Sequence, residues 1–454
     1  MLTTQRSYAP SSTIVWILVR MPHALISSSY LTSHFTTYCG KMANVLNLLA
    51  PFGALLGGAL GQTGVENNLT TYMYPDSNIT AASVYSVNGS RQAPKGADIL
   101  TVGVIGDYGW AGWQPSPDNF CLKVLPYLES LGVHPPNEVV NDCDPGDKQY
   151  ITNATQMQMD TSAYVGQICA MKNCSAFLSV GDNFYDSGVD FTTAGILRFE
   201  QAWVQMYQEG IFEYAPWYQC IGNHDVVPGQ PGVDFQTKVA PLYDDRWYFG
   251  TKGLPYYTYD LTGSDWSATF VVVDSDCFLS SYQKNTSVYY NSYTQACHST
   301  RQEQLDFLSS TFAASNATWK FLQLHHPYRS ASTNETDLEP LIDIVVQHKA
   351  TVMNGHDHCM GHFYSNDTNF ILSGAAGYPQ AGDCNNGTAV GPYAKFLGAN
   401  SLSAANGFVT MDISKNVINV EYYLRDMTFD GGDLYSVHYD LNPSYNFQIT
   451  QHSC

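Results

Sequence analysis

Short apolar runs recur along this chain, and most of them stop abruptly at Gly, Asp, Asn or His. Residues 99–105 are apolar and mostly β-branched, the pattern of a strand buried on both faces. Residues 176–180, 217–221, 269–273, 320–324 and 351–353 read the same way, and 370–372, 408–411 and 417–424 continue the series toward the C-terminus. Helical spacing fills the gaps. It predicts helices over 156–171, through Leu197, Trp203, Val204, Tyr207 and Ile211, over 301–314 with Leu305, Leu308 and Phe312 on one face, and over 338–348. Strands alternating with helices predict an α/β fold, with the strand ends gathered at one sheet edge.

The chemistry lies where the runs stop. Gly106-Asp107-Tyr108-Gly109 follows the first, and Gly181-Asp182-Asn183-Phe184-Tyr185 follows 176–180. Gly222-Asn223-His224-Asp225, His325-His326-Pro327 and Gly355-His356-Asp357-His358 close three more. Any one of these is weak evidence, because Asp after Gly is common in turns and a paired histidine is often a core residue. Together they offer carboxylate, phenol and amide oxygens beside imidazole nitrogens. That mixture suits iron, zinc or manganese and argues against calcium or a thiolate zinc site. A carboxylate such as Asp182 can bridge two cations, so the expectation is a two-metal hydrolase.

In these five motifs and their order the chain resembles the purple acid phosphatases of the calcineurin-like metallophosphoesterase superfamily. The linking stretches Asp245-Arg246-Trp247, Leu372-Ser373-Gly374-Ala375 and Gly407-Phe408-Val409 resemble the tartrate-resistant, animal-type branch. The likeness runs from about Asp98 to about Tyr439. It implies a four-layer β-sandwich flanked by helices, with a dimetal site at the sheet edge. It implies a ferric site of Asp107, Asp182, Tyr185 and His358, and a divalent site (Fe2+, Zn2+ or Mn2+) of Asp182, Asn223, His325 and His356. His325 is preferred to His326 because the family pattern is His-x-Pro. His224 is implied as the acid beside the leaving group, and a metal-bound hydroxide as the attacker of a phosphate monoester. Gly109 stands where many superfamily members have a ligating His, and Tyr185 fills that gap. A phenolate favours Fe3+, and a trivalent ion acidifies bound water strongly, which suits work at acid pH. The chain departs from the family at Asn334, where some members carry a substrate-side His; His326 and His298 are candidates to replace it. A phosphodiesterase or nucleotide pyrophosphatase on the same scaffold is the alternative, and a metal-binding secreted glycoprotein without turnover is a third reading.

Composition narrows the setting. With 454 residues, 44 % hydrophobic, the chain can bury one large domain, and its net charge of −20 disfavours nucleic-acid partners. Of the eleven cysteines, Cys39 falls in a segment expected to be removed, leaving an even number that fits an oxidising compartment. Cys169 with Cys174, Cys277 with Cys297 and Cys359 with Cys384 are the local candidates for pairing. Sequons at Asn68, Asn78, Asn88, Asn153, Asn173, Asn285, Asn316, Asn334, Asn366 and Asn386 agree with export. Residues 1–61 are read as an N-terminal extension and signal peptide: 46–60 is almost wholly apolar and ends at a small-x-small pattern, with Met42 a possible start. Residues 62–97 are a mature N-terminal extension, 98–440 the catalytic domain and 441–454 a tail. Residues 110–150 are an inserted excursion beside the first motif. No stable membrane span is expected, and the destination is secreted or vacuolar.

Overall fold

The computed structural model describes residues 93–110 and 145–451, apart from 186, 193–194, 196–197, 205, 286, 288–296, 298–300, 378–382, 385–392, 399–404 and 431–432. The signal-peptide reading, most of the inserted excursion, His298 and the sequons at 68, 78, 88 and 386 lie outside the described residues.

Two sheets carry the fold. β1 (Ile99–Ile105) is buried from its second residue onward and central, as its unbroken apolar run requires. It pairs parallel with β2 (Cys174–Ser179) and antiparallel with β12 (Ala405–Ser414). β3 (Trp217–Tyr218) and β4 (Trp247–Tyr248) extend this sheet on one side, and β13 (Val417–Asp430) with β14 (Asp433–Tyr439) on the other. β15 (Tyr445–Thr450) also pairs with β13, so the residues read as a tail include a strand of the first sheet. At the other end, Ala93 donates its N–H to the Tyr218 hydroxyl at 3.2 Å and Ala97 bridges Gly263, so the packed body begins slightly before Asp98.

The second sheet runs in the order β11 (Ala394–Leu397), β9 (Met360–Ser365), β10 (Thr368–Ser373), β8 (Thr351–Asn354), β7 (Trp319–Gln323), β6 (Ser267–Val272), β5 (Tyr257–Thr262). The sheets meet face to face. Tyr218, Tyr259, Phe270 and Phe321 stack one on the next with centroids 3.8, 4.7 and 4.5 Å apart. Each such pair contributes about 0.5–1.5 kcal/mol beyond its buried area. Within this apolar layer the Gln323 amide donates across the interface to the Tyr218 carbonyl at 2.9 Å. Helix α1 (Pro145–Lys172) lies against the first sheet, while α2 (Arg301–Ala314) and α3 (Glu339–Gln347) cover the second. The order is helix, sheet, sheet, helix: the four-layer sandwich.

Of the helix expected through Leu197 and Ile211, residues 198–199 are α-helical and run into a π-helical turn at Glu200–Val204, while Gly210–Glu213 forms a separate 3-10 turn. Gly210, at φ 63°, breaks the repeat between them. The disulfides Cys169–Cys174, Cys277–Cys297 and Cys359–Cys384 are present, and Cys220 is a buried free thiol.

Candidate metal centre

Every motif tip lands at one edge of the sandwich. Asp107 follows β1, and Asp182 and Tyr185 follow β2. Asn223 and His224 come after β3, His325 follows β7, and His356 and His358 follow β8. The backbone turns sharply at three of them: Asp107, Asp182 and His356 have φ of 57°, 51° and 72°. For non-glycine residues this costs about 1–3 kcal/mol each, less for Asp than for His. The sum rivals the stability of a small domain. Such turns persist only where the surroundings impose them, and here dense packing does. A Cβ on Gly222 would stand 2.3 Å from the Asp182 amide nitrogen, and one on Gly355 2.3 Å from Asp107 Oδ2. The glycines of the motifs let one loop's backbone press against the next loop's carboxylate.

The donor atoms form two groups that share Asp182. In the first, the Tyr185 hydroxyl lies 2.9 Å from Asp107 Oδ1, 2.9 Å from Asp182 Oδ2 and 2.9 Å from His358 Nε2. In the second, His325 Nε2 is 3.2 Å from Asp182 Oδ2 and 3.2 Å from Asn223 Oδ1, and His356 Nδ1 is 2.8 Å from that same amide oxygen. Ligand atoms 2.0–2.2 Å from one ion, at right angles to each other, lie about 3 Å apart. These spacings therefore fit the edges of two coordination shells. The donors are also buried: Asp107 is 0 % exposed, Asp182 1 %, Tyr185 1 % and His325 0 %. Two carboxylates this deep demand positive charge nearby.

Electrostatics agree. Burial pushes the Asp107 carboxyl well above its usual range, reinforced by the charge of Asp182. Burial acts on Asp182 in the same direction, but His325 and His224 outweigh it and hold that carboxyl well below normal. Burial lowers the His325 pKa, and Asp182 and Asp107 reverse this and raise it to about 10. Burial and the two carboxylates drive the Tyr185 phenol well up. Without a cation, then, Asp107 and the Tyr185 phenol keep their protons and protonated His325 balances the Asp182 carboxylate, and metal ions would displace those protons.

Second contacts fix the ring orientations. His325 Nδ1 faces the Val180 carbonyl at 2.8 Å, which leaves Nε2 turned to the centre. The His358 backbone N–H donates to Asp383 Oδ2 at 3.0 Å, which anchors its loop rather than its ring. His326, by contrast, has Nδ1 on Ser275 Oγ at 2.9 Å and Nε2 on the Tyr282 hydroxyl at 2.8 Å. Both its nitrogens are bonded to hydroxyls, while its ring lies beside that of His356 and one nitrogen is within 4.8 Å of ligand atoms of His325 and His356. Asn334 is exposed. The Asp274, Cys277 and Cys297 cluster offers no thiolate, because the two sulfurs are bonded to each other.

Three residues matter more than their motifs suggested. Asn183 is a hub: its side-chain oxygen accepts from Tyr108 at 2.8 Å and Ser179 at 2.6 Å, and its amide donates to the Cys220 carbonyl at 2.8 Å. Asp225 accepts from the Asn183 and Gly222 amides at 3.0 and 2.9 Å, tying two loops together. Burial, with Asp182 nearby, pushes its carboxyl up to about 7. Asp357 accepts hydroxyl bonds from Ser330, Ser332 and Thr333. The signal available in the sequence was position alone: each sits inside a motif beside a donor.

Residues 100–360 match the family described as calcineurin-like phosphoesterase. This chain belongs to the calcineurin-like phosphoesterases. Among the phosphoesterase's curated relatives, purple acid phosphatase 3 of Arabidopsis thaliana is 26 % identical over 278 residues, 59 % of this chain and 70 % of that one. Tartrate-resistant acid phosphatase type 5 of Oryctolagus cuniculus is 23 % identical over 291 residues, 61 % of this chain and 85 % of its own. Among solved structures, GAP50, the anchor in the inner membrane complex of Plasmodium, superposes with a TM-score of 0.47 at 15 % identity, covering 76 % of this chain and 90 % of that one. The phosphoesterase is thus an enzyme, a hydrolase whose curated relatives are acid phosphatases. No helix among its described residues is long and apolar enough to cross a membrane.

Proposed function

We propose that this phosphoesterase is a dinuclear acid phosphatase that hydrolyses phosphate monoesters. The observation that carries the reading is the shared carboxylate: Asp182 Oδ2 touches both Tyr185 and His325, so the two donor groups meet at one oxygen. Asp107, Asp182, Tyr185 and His358 would hold Fe3+, and Asp182, Asn223, His325 and His356 a divalent ion, Fe2+, Zn2+ or Mn2+. A bound pair supplies Lewis acidity and an activated water. Tyr185 argues for a trivalent ion, since only a strongly charged cation pulls a proton from a phenol that burial and two carboxylates hold so firmly.

The protein's own residues do the remainder. His224 is half-buried, its backbone N–H is tied to Asp182 Oδ1 at 2.9 Å and its ring lies 4.4 Å from that of Tyr185. It is the imidazole placed to protonate a departing alkoxide, a role worth about 10²–10⁴ in rate. The three disulfides, and the exposure of the sequon residues Asn173, Asn285, Asn316, Asn334 and Asn366, support a secreted or vacuolar route.

Metal analysis, visible absorption and turnover of nitrophenyl phosphate against its bis-ester test the proposal together. Two metals per chain, a visible band lost in Tyr185→Phe, and preference for the monoester are expected. A colourless iron-free protein, or faster bis-ester cleavage, would overturn it. His224→Ala should cut kcat while leaving metal content intact.

A further inference from the structure

Trp110 stands immediately beyond the first motif, and its indole lies flat on the phenol ring of Tyr185. The centroids are 4.2 Å apart and the planes 9° from parallel. The same indole meets the His358 ring edge to face at 6.2 Å. Trp110 is 7 % exposed, and with Tyr185 it forms a buried pair separate from the main cores. Backbone geometry builds the stack. The Tyr185 N–H donates to the Gly109 carbonyl at 2.9 Å, and the Trp110 N–H to that of Tyr108 at 2.9 Å. Room for the indole comes from Gly377, where a Cβ would fall 2.2 Å from Trp110 Cδ1.

We infer that Trp110 is a positioning residue for the phenol–imidazole half of the metal centre. It rests on the reading of Tyr185 and His358 as ligands of the ferric ion. A phenol is free to rotate about its bond to Cβ, so its oxygen alone does not fix the ring plane. A parallel indole does, by covering one face of the ring. By touching His358 as well, one side chain sets two donors at once. Supporting contacts of this kind typically govern metal affinity by about 10–100-fold. The visible band of a phenolate-bound ferric ion depends on ring orientation and on the polarity around the oxygen, so it reports the stack directly.

The test uses the full chain purified with its metals. Visible absorption and the rate of iron loss to a chelator are compared for the wild type, Trp110→Phe and Trp110→Leu. The expected order is monotonic: Phe keeps a ring and shifts the band slightly, while Leu shifts and weakens it and speeds iron loss about tenfold. A Leu variant with wild-type band and iron retention overturns the inference, as does a Phe variant as impaired as Leu. If the Leu variant does not fold, Phe alone decides: a band shifted from the wild type with faster iron loss supports the role, and a wild-type band and iron retention refute it. A wild type without a band that Tyr185→Phe removes would fail the ligand reading itself, before Trp110 is in question.

Discussion

The two sheets supply different chemistry to the same site. Strands of the first sheet deliver the oxygens, Asp107, Asp182, Tyr185 and Asn223, while the second delivers the nitrogens, His325, His356 and His358. The oxygen side is buried and cross-linked by Asn183 and Asp225. On the nitrogen side the His325 ring faces the Val180 carbonyl and the His358 backbone is tied to Asp383. Neither side completes a coordination shell alone. On the proposed reading each ion joins both sheets, so the centre is a seam as well as a reaction site.

The severest way to break this comparison is to remove the one residue both shells use. Asp182→Ala should lower kcat/KM by roughly a thousandfold or more, since it forfeits several kcal/mol of Lewis-acid stabilisation. Metal content should fall at both positions together. A variant that keeps one ion fully bound would show the two shells to be independent.

Metal removal tests the seam. Ions bound at a thousandfold excess over Kd add about 4 kcal/mol of stability. Chelation should therefore lower Tm by roughly 10 °C, and scanning calorimetry before and after metal restoration measures it. If Tm is unchanged, the ions do not staple the sheets.

Much of this was legible before any coordinates. The runs at 99–105, 176–180 and 351–353 are buried strands, as their patterns predict, because a strand covered on both faces leaves an unbroken apolar signature. Helices α2 and α3 follow their spacing for the same reason. Strands β5 and β9 escaped. The edge strand β5 buries Tyr257, Tyr259 and Leu261 while exposing Thr258 and Asp260, and β9 turns tightly at Asn366 and Asp367, both at positive φ, into β10, which the run at 370–372 does predict. Half-polar strands resemble loops on paper. In the site, residue types were readable and supporting contacts were not. Trp110 opens the stretch read as an inserted excursion, yet it lies on Tyr185, 75 positions away. His326, one of two candidates for a substrate-side histidine, lies beside His356 with the hydroxyls of Ser275 and Tyr282 on its nitrogens, contacts its position in the sequence does not show. Contacts over such separations leave no periodicity to detect.

A pH experiment separates ion from proton. In the metal-free chain the His325 pKa rises from the ordinary 6.5 to about 10 when the protein folds. The folded state then holds this proton more tightly than the unfolded one. The resulting stability is whole below pH 6.5 and is lost as pH climbs through about 10. Loaded protein, with a metal in the proton's place, should not follow that decline. Urea midpoints of the two forms across the window make the comparison, and parallel curves would remove His325 from the coordination shell.

The smallest effect sharpens the division between the sheets most. Asp357 lies between His356 and His358, and its carboxylate accepts from Ser332 at 2.7 Å and Thr333 at 2.7 Å, with Ser330 as a third partner. Asp357→Asn keeps the shape but can no longer accept all three hydroxyls through a full carboxylate. The loop carrying both imidazoles loosens, while Asp107, Asp182 and Tyr185 keep their own supports. Because the loop carries His356 for the divalent ion and His358 for the ferric one, affinity for the divalent ion should fall about tenfold in chelator competition. The visible band should weaken only slightly, because Asp107, Asp182 and Tyr185 still hold the ferric ion. A band lost as fully as the divalent ion would mean that the two halves of the centre are set by one network rather than two.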